Sequence, residues 1–399
     1  MSRPWREGGR LGALLAVVGA VLATLAAAAY VVSRPAVPGE MRATVALAET
    51  LGTDGGAGFA RVVAARPFAF PADHGPHPEY RTEWWYYTGN LETAEGRHFG
   101  VQLTFFRIAL APRPVPRASA WGTTQLYMGH LAVTDVAAGR FRALERLSRG
   151  ALGLAGAQTN PFRVWLEDWA VEGQGPAALP MRLVAAESGL AIDLTLESGK
   201  APVLHGRQGL SQKGPEPGNA SYYYSLPRMP ARGTIRVGGE TWAVRGLAWM
   251  DREWGTSALG RDQVGWDWFA LQLGDGRELM LYRLRRRDGS LDPQSAGTLI
   301  GADGSTQALG AEAVRVDVLD EWRSPRDGAR YPARWRLRVP AEALDLEVTP
   351  YLADQELDVT VRYWEGAVRV EGRAGGSAVS GQGYVELTGY AEAPRAVRQ

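Results

Sequence analysis

The feature that most limits what this chain can fold into is a two-residue alternation of apolar and polar side chains, with no long helical periodicity after residue 35. Phe99, Val101, Leu103 and Phe105 alternate with His98, Gly100, Gln102 and Thr104, and Trp335, Leu337 and Val339 alternate with Arg334, Arg336 and Arg338. Successive side chains on an extended chain point to opposite faces, so each run reads as a half-buried strand. Turn signals recur at Gly238-Gly239, Gly274-Asp275-Gly276, Asp288-Gly289 and Asp303-Gly304. The expected class is all-β, as barrels or sandwiches. A weak duplication narrows this: Trp84-Trp-Tyr-Tyr-Thr-Gly-Asn-Leu91 matches Trp266-Asp-Trp-Phe-Ala-Leu-Gln-Leu273, each followed by a turn and a strand. Two β-barrels in tandem are implied, over residues 61–258 and 259–395.

Ahead of them, Arg3, Arg6 and Arg10 flank an uncharged run from Leu11 to Val32. Such a run can cross a hydrocarbon layer of about 30 Å, and its arginine flank favours the cytoplasmic side. Residues 1–34 therefore read as a single-pass inner-membrane anchor with a periplasmic or otherwise extracytoplasmic body. The alternative is a signal segment cleaved near Ala26–Ala29, which would release the body to the periplasm. Residues 35–60, rich in Pro and Gly, read as a linker. There are no cysteines, which removes disulfides, thiolate chemistry and Cys-based metal sites. A formal net charge of +1 gives no reason to expect nucleic acid.

The chemistry concentrates in Gly246-Leu-Ala-Trp-Met-Asp-Arg-Glu-Trp-Gly255. Read as a strand, it places Leu247, Trp249, Asp251 and Glu253 on one face. A carboxyl pressed against aromatic surface has its charged form disfavoured and stays a proton donor near neutral pH. The competing reading pairs these carboxylates with Arg245, Arg252 or Arg261 or leaves them solvated. Fourteen Trp and fourteen Tyr supply the surroundings, in doublets and triplets such as Trp84-Trp85-Tyr86-Tyr87, Tyr222-Tyr223-Tyr224, Trp249 with Trp254, and Tyr363-Trp364. Glu83 shares a face with Trp85 and Tyr87, and the phenols of Tyr222 and Tyr224 fall on one face. His130 shares a face with Met128, Ala132 and Thr134, as a buried histidine or as an acid–base partner. His74 and His77 with Asp73 and Glu79 lack helical metal-ligand spacing and read as a solvated loop, so no metal is expected. Gly209-Leu-Ser-Gln-Lys-Gly214 falls one residue short of a nucleophile elbow, in the wrong structural context.

Several segments in order resemble the AttH-like proteins related to carotenoid 1,2-hydratases, many of them described as predicted secreted hydrolases. The resembling segments are Glu83-Trp-Trp-Tyr-Tyr-Thr-Gly-Asn-Leu91, Phe99–Arg107, Leu204-His-Gly206, Ala220-Ser-Tyr-Tyr-Tyr-Ser225, Trp249–Gly255 and Gly381–Tyr390. The resemblance implies two lipocalin-like barrels, with the pocket in the first and at its contact with the second. It also implies that Asp251 stands where the family carries the acid that protonates an isoprenoid double bond, with Trp249 in place of the family's tyrosine. The expected function is binding of an extended apolar molecule, an isoprenoid or other lipid, with cofactor-free acid-catalysed hydration of a double bond. Asp251 would be the acid, and Glu253 or His130 would position water. Trp249, Trp85, Tyr87, Glu83, Tyr222, Tyr224 and Trp254 would shape the pocket. The alternatives are a non-catalytic lipid-binding accessory to a membrane transporter or export system, and a hydrolase.

Overall fold

The computed structural model describes residues 56–113, 119–257 and 259–391. The expected membrane segment and most of the linker lie outside the described residues. Among those described, helix is confined to three single 3-10 turns, and none is long and apolar enough to cross a membrane.

The first sheet begins with β1 (Thr82–Glu92), β2 (His98–Ala109), β3 (Gln125–Asp135) and β4 (Arg140–Arg149). It continues with the shorter β5 (Ala155–Gln158), β6 (Arg163–Leu166), β7 (Trp169–Gly173), β8 (Met181–Glu187) and β9 (Leu190–Leu196). Two bridging pieces follow, β10 (Val203–Leu204) and β11 (Leu210–Gln212), then the long β12 (Ala220–Val237) and β13 (Glu240–Gly255). Their order is β4-β3-β2-β1-β13-β12-β9-β8-β7-β6-β5, with β10 and β11 on β12. The two long strands are joined by Gly238-Gly239, whose positive φ of 64° and 89° suits the two-residue turn that matches strand twist.

The second sheet holds β14 (Gln263–Leu273), β15 (Glu278–Arg286), β16 (Ala296–Ile300), β17 (Thr306–Gly310) and β18 (Arg315–Arg323). It is completed by β19 (Arg330–Val339), β20 (Leu344–Pro350), β21 (Glu356–Leu357), β22 (Tyr363–Ala374) and β23 (Ser377–Leu387). The order is β17-β16-β15-β14-β23-β22-β20-β19-β18, with β21 on β22. The duplicated segments occupy equivalent places. Each opens its sheet, with β1 lying between β2 and the last strand β13, and β14 between β15 and the last strand β23.

Both sheets curl into barrel-like shapes around their own cores. Neither ladder closes by hydrogen bonds, the first ending at β4 and β5 and the second at β17 and β18. The first core is filled by Trp85, Tyr87, Phe99, Leu103, Trp169, Tyr224, Met250 and Trp254 among others. One void there, lined by Tyr87, Leu103, Leu183 and Leu194, measures about 10 Å³, about the room of a single water, and large buried side chains fill the rest of this core. The second core is built on Phe269, Leu271, Trp335, Leu346, Trp364 and Val368.

The outer faces of β1, β12 and β13 are covered by β14, β15, β22 and β23, and the layer between them contains Tyr86, Tyr223, Trp249, Trp268, Tyr282 and Tyr384. Tyr86, Tyr223 and Trp249 are one step out of phase with the first core, and Trp268, Tyr282 and Tyr384 with the second, as strand alternation requires. Polar bonds stitch the layer: Asn90 Nδ2 donates to Gly383 O at 2.9 Å, and Gln272 Nε2 donates to Pro227 O at 2.8 Å and Ala248 O at 3.0 Å. The sheets approach closely at Gly100, where any Cβ would stand 2.5 Å from that of Ala367.

Candidate active site

A cavity of about 70 Å³ lies in this layer. The first sheet contributes Trp84, Tyr86, Phe106, Tyr223, Asp251 and Glu253 to its wall, with Lys213 from the segment after β11. Facing them from the second sheet are Trp266, Trp268, Tyr282, Leu284, Tyr363 and Glu386.

Asp251 is 3% exposed. Its Oδ1 accepts the Trp249 indole N–H at 2.6 Å and the Ser225 hydroxyl, and its Oδ2 accepts the Tyr223 hydroxyl at 2.5 Å. Cross-strand register sets this up: Ser225 lies opposite Asp251 on β12, and Tyr86 opposite it on β1. Among the described residues no Lys or Arg forms an ion pair with it. Burial raises its pKa, the three donors pull it back, and the charge of Glu253 raises it again, leaving it at about 7 instead of 3.8. Glu253, two residues on, has a cation beside it. Lys213 Nζ stands 3.2 Å from Oε1, and the Ser221 hydroxyl donates to the same oxygen. The Lys213 ammonium lies 3.9 Å from the Tyr282 ring centroid, so the ion pair forms one polar corner of an otherwise aromatic wall.

The second sheet adds two further carboxyls. Glu386 accepts the Trp266 indole N–H at 3.1 Å, and Glu365, behind the wall, accepts the Tyr86 hydroxyl at 2.6 Å. Burial pushes both upward, with Glu386 reinforcing the effect on Glu365 and Asp251 reinforcing it on Glu386. The second Glu365 oxygen has no hydrogen-bond partner among the described residues.

A family model described as AttH-like matches residues 61–390. The chain belongs to the AttH-like family. A crystal structure of an AttH protein from Nitrosomonas europaea is 36% identical, covers 84% of this chain and all of that one, and superposes with a TM-score of 0.75. The dehydratase asqC of Emericella nidulans is 25% identical over 222 residues, which is 52% of this chain and 60% of that protein. The kievitone hydratase of Fusarium solani subsp. phaseoli is 24% identical over 214 residues, 52% of this chain and 59% of the relative. The match thus spans about three fifths of the length of both curated relatives. A kievitone hydratase crystal structure from Nectria haematococca, 17% identical, covers 83% of this chain and 95% of its own with a TM-score of 0.65. That likeness speaks for the fold.

Within this AttH-like chain, Asp251, Glu253 and Trp249 come together as their common strand face requires. Five of the other expected pocket residues do not join them. Trp85, Tyr87, Tyr222, Tyr224 and Trp254 point into the filled core of the first sheet, because each is an odd number of positions from the strand face that carries Asp251. Glu83 is also elsewhere. It is wholly buried between Arg107 and Arg252, close to the 56–81 segment that caps one end of the sheet. Burial would raise the Glu83 carboxyl, but the two guanidiniums hold it well below the usual carboxylate range. Arg252 also stacks 3.9 Å over Trp85. The expected solvated histidine loop belongs to the same structure: His74 is buried, with Nδ1 2.6 Å from the Tyr224 hydroxyl, and His77 stacks at 3.8 Å on Trp254. His130 is wholly buried behind the cavity wall. Lys213, Ser225 and Glu386 lie within segments singled out in the sequence, but no local pattern marked them as site residues. Tyr86, Tyr223, Trp266, Trp268 and Tyr363 stood out as aromatic clusters without an assigned place.

Proposed function

We propose that this chain is an acid-catalysed hydratase or dehydratase that adds water to, or removes it from, an unsaturated apolar molecule held between the two sheets. One observation carries the reading: Asp251 is a buried carboxyl with no ion-paired cation among the described residues, oriented by three donors, at the wall of an aromatic cavity. A carboxyl with its pKa near neutrality can give a proton to an alkene carbon or a departing hydroxyl and take one back. The faces of Trp84, Tyr86, Trp266 and Trp268 suit the positive charge that develops on carbon. Two relatives named for hydration and dehydration support the same class of reaction.

Isoprenoids and related lipids fit the aromatic lining, and a cavity of about 70 Å³ takes the reacting end of such a molecule rather than its whole length. The arginine-flanked run Leu11–Val32 supports a body held at the outer face of the inner membrane, where such substrates dissolve. The test is to incubate purified protein with isoprenoid alkenes and tertiary allylic alcohols in heavy-oxygen water and follow the products by mass spectrometry. Gain of one labelled water, or its loss from an alcohol, is expected for the wild type and not for Asp251→Asn. Turnover undiminished in that variant, or no conversion of any member of the panel, overturns the reading.

A further inference from the structure

His130 stands at the centre of a chain of contacts that leads out of the cavity. Its Nδ1 lies 2.8 Å from the Tyr363 hydroxyl and its Nε2 lies 3.1 Å from Glu145 Oε2. Glu145 is its cross-strand partner on β4, and the other Glu145 oxygen is fixed by the Thr360 hydroxyl at 2.5 Å. The cavity is lined by Tyr363 at one end of this chain. At the other end, the Glu145 side chain is 13% exposed.

The protonation pattern follows from the partners. Burial would raise Glu145, but hydrogen bonds from His130 and Thr360 hold it below its ordinary value. It is therefore a carboxylate that accepts from His130 Nε2–H. With Nε2–H directed at that carboxylate, Nδ1 is placed to accept from the Tyr363 hydroxyl. Phe106 packs edge-on against the ring. The charged or titratable groups facing the Tyr363 phenol are His130, Glu145, Glu365 and Glu386.

We propose that Tyr363, His130 and Glu145 form a proton relay that serves as the second acid–base arm of the pocket, meeting the cavity at Tyr363 on the sheet opposite Asp251 and leading back through His130 and Glu145 on the first sheet. This rests on the hydratase reading. When water adds to a carbon from which Asp251 has saturated the neighbour, the C–O bond forms and the water O–H breaks. That proton goes to the Tyr363 oxygen as the phenol's own proton passes to His130 Nδ1, leaving an imidazolium against the Glu145 carboxylate. When the product leaves and water enters the cavity that Tyr363 and Asp251 both line, the imidazolium gives its Nδ1 proton back through the Tyr363 hydroxyl, the Asp251 carboxylate takes one up through that water, and the ring regains its resting tautomer with Nε2–H on Glu145. Dehydration runs the same steps backwards. The rival acceptors are less suited: Glu365 and Glu386 are pushed towards their neutral forms, and Glu253 shares the Asp251 wall and is tied to Lys213. Tyr363 is the catalytic residue of this arm; His130 and Glu145 act through it.

Two measurements test the relay. Nitrogen NMR of histidine-labelled, substrate-free protein at neutral pH should show His130 protonated at Nε2 and accepting at Nδ1, with the Nδ1 signal moving in Tyr363→Phe. A ring carrying a proton on Nδ1 overturns the proposal whatever the protein's activity. With the substrate found by the heavy-oxygen screen, Tyr363→Phe should lower kcat about a hundred-fold with KM within about two-fold. Glu145→Gln should lower kcat and Glu145→Asp should restore it, a pattern that a purely structural role would not give. If Asp251→Asn is inactive while Tyr363→Phe is fully active, the relay fails and the hydratase reading stands. If Asp251→Asn is fully active, the hydratase reading itself fails.

Discussion

Replacing Asp251 with asparagine should make the protein more stable at alkaline pH while removing its acid. The carboxyl sits at about 7 in the folded protein against an ordinary 3.8. Below about pH 4 both folded and unfolded chains hold the proton. Between there and neutrality the unfolded chain ionises while the folded one stays protonated, so stability falls as pH rises, and the loss is complete above the folded value. At about 1.4 kcal/mol per pH unit the full penalty is about 4 kcal/mol, of which about 2–3 kcal/mol accrues between about pH 5 and pH 8. Asparagine has no such term. Its carbonyl can replace Oδ1 and accept from Trp249 and Ser225, and its amide can donate to the Tyr223 oxygen, which already accepts the Trp268 N–H at 3.0 Å. Urea unfolding of both proteins at the two pH values gives the variant-minus-wild-type difference, which removes the contributions of Glu365 and Glu386 apart from the part that the Asp251 charge itself adds to them. That difference should grow by about 2–3 kcal/mol from about pH 5 to pH 8. A difference flat to within about 0.5 kcal/mol would refute the raised pKa, since the linkage cannot vanish if the shift is real.

Glu83→Gln should cost about 3–5 kcal/mol in urea unfolding, because it strands the buried guanidiniums of Arg107 and Arg252; a cost under about 1 kcal/mol would show that the ion cluster is already compensated. Trp85→Ala should cost about 3–5 kcal/mol. The neighbouring Tyr86→Phe should leave stability within about 1 kcal/mol and instead reduce turnover, because Tyr86 faces the cavity and bonds Glu365; equal effects at both positions would contradict the assigned faces. In Gly100→Ala the new methyl would meet Ala367 at 2.5 Å and the Tyr384 hydroxyl at 2.7 Å. Overpacking of about 1–3 kcal/mol is expected, with increased dye binding as the layer between the sheets opens, and an unchanged melting curve would show that the sheets can part freely.

The all-β class was legible in the two-residue alternation, and the duplicated Trp84 and Trp266 segments fall on corresponding strands of the two sheets. The grouping of Trp249, Asp251 and Glu253 was legible for the same reason: a period of two decides which residues share a face without any knowledge of partners. It does not decide which face looks inward. On an ordinary surface strand the polar side would settle that, but the outer faces of β1 and β13 are covered by the second sheet. Ten of the eleven β1 residues are therefore buried or half-buried, and the last eight of β13 are all buried. With no exposed side to read, Trp85 and Tyr86, or Tyr222 and Tyr223, are equivalent in sequence. Strand register and the docking of the second sheet separated them, sending one of each pair into a packed core and the other into the layer with the cavity. The same docking brought Tyr363 and Glu386 across from more than a hundred residues away in the chain to face Asp251, a proximity no local pattern encodes, because it is fixed by the packing of two surfaces rather than by the spacing along either.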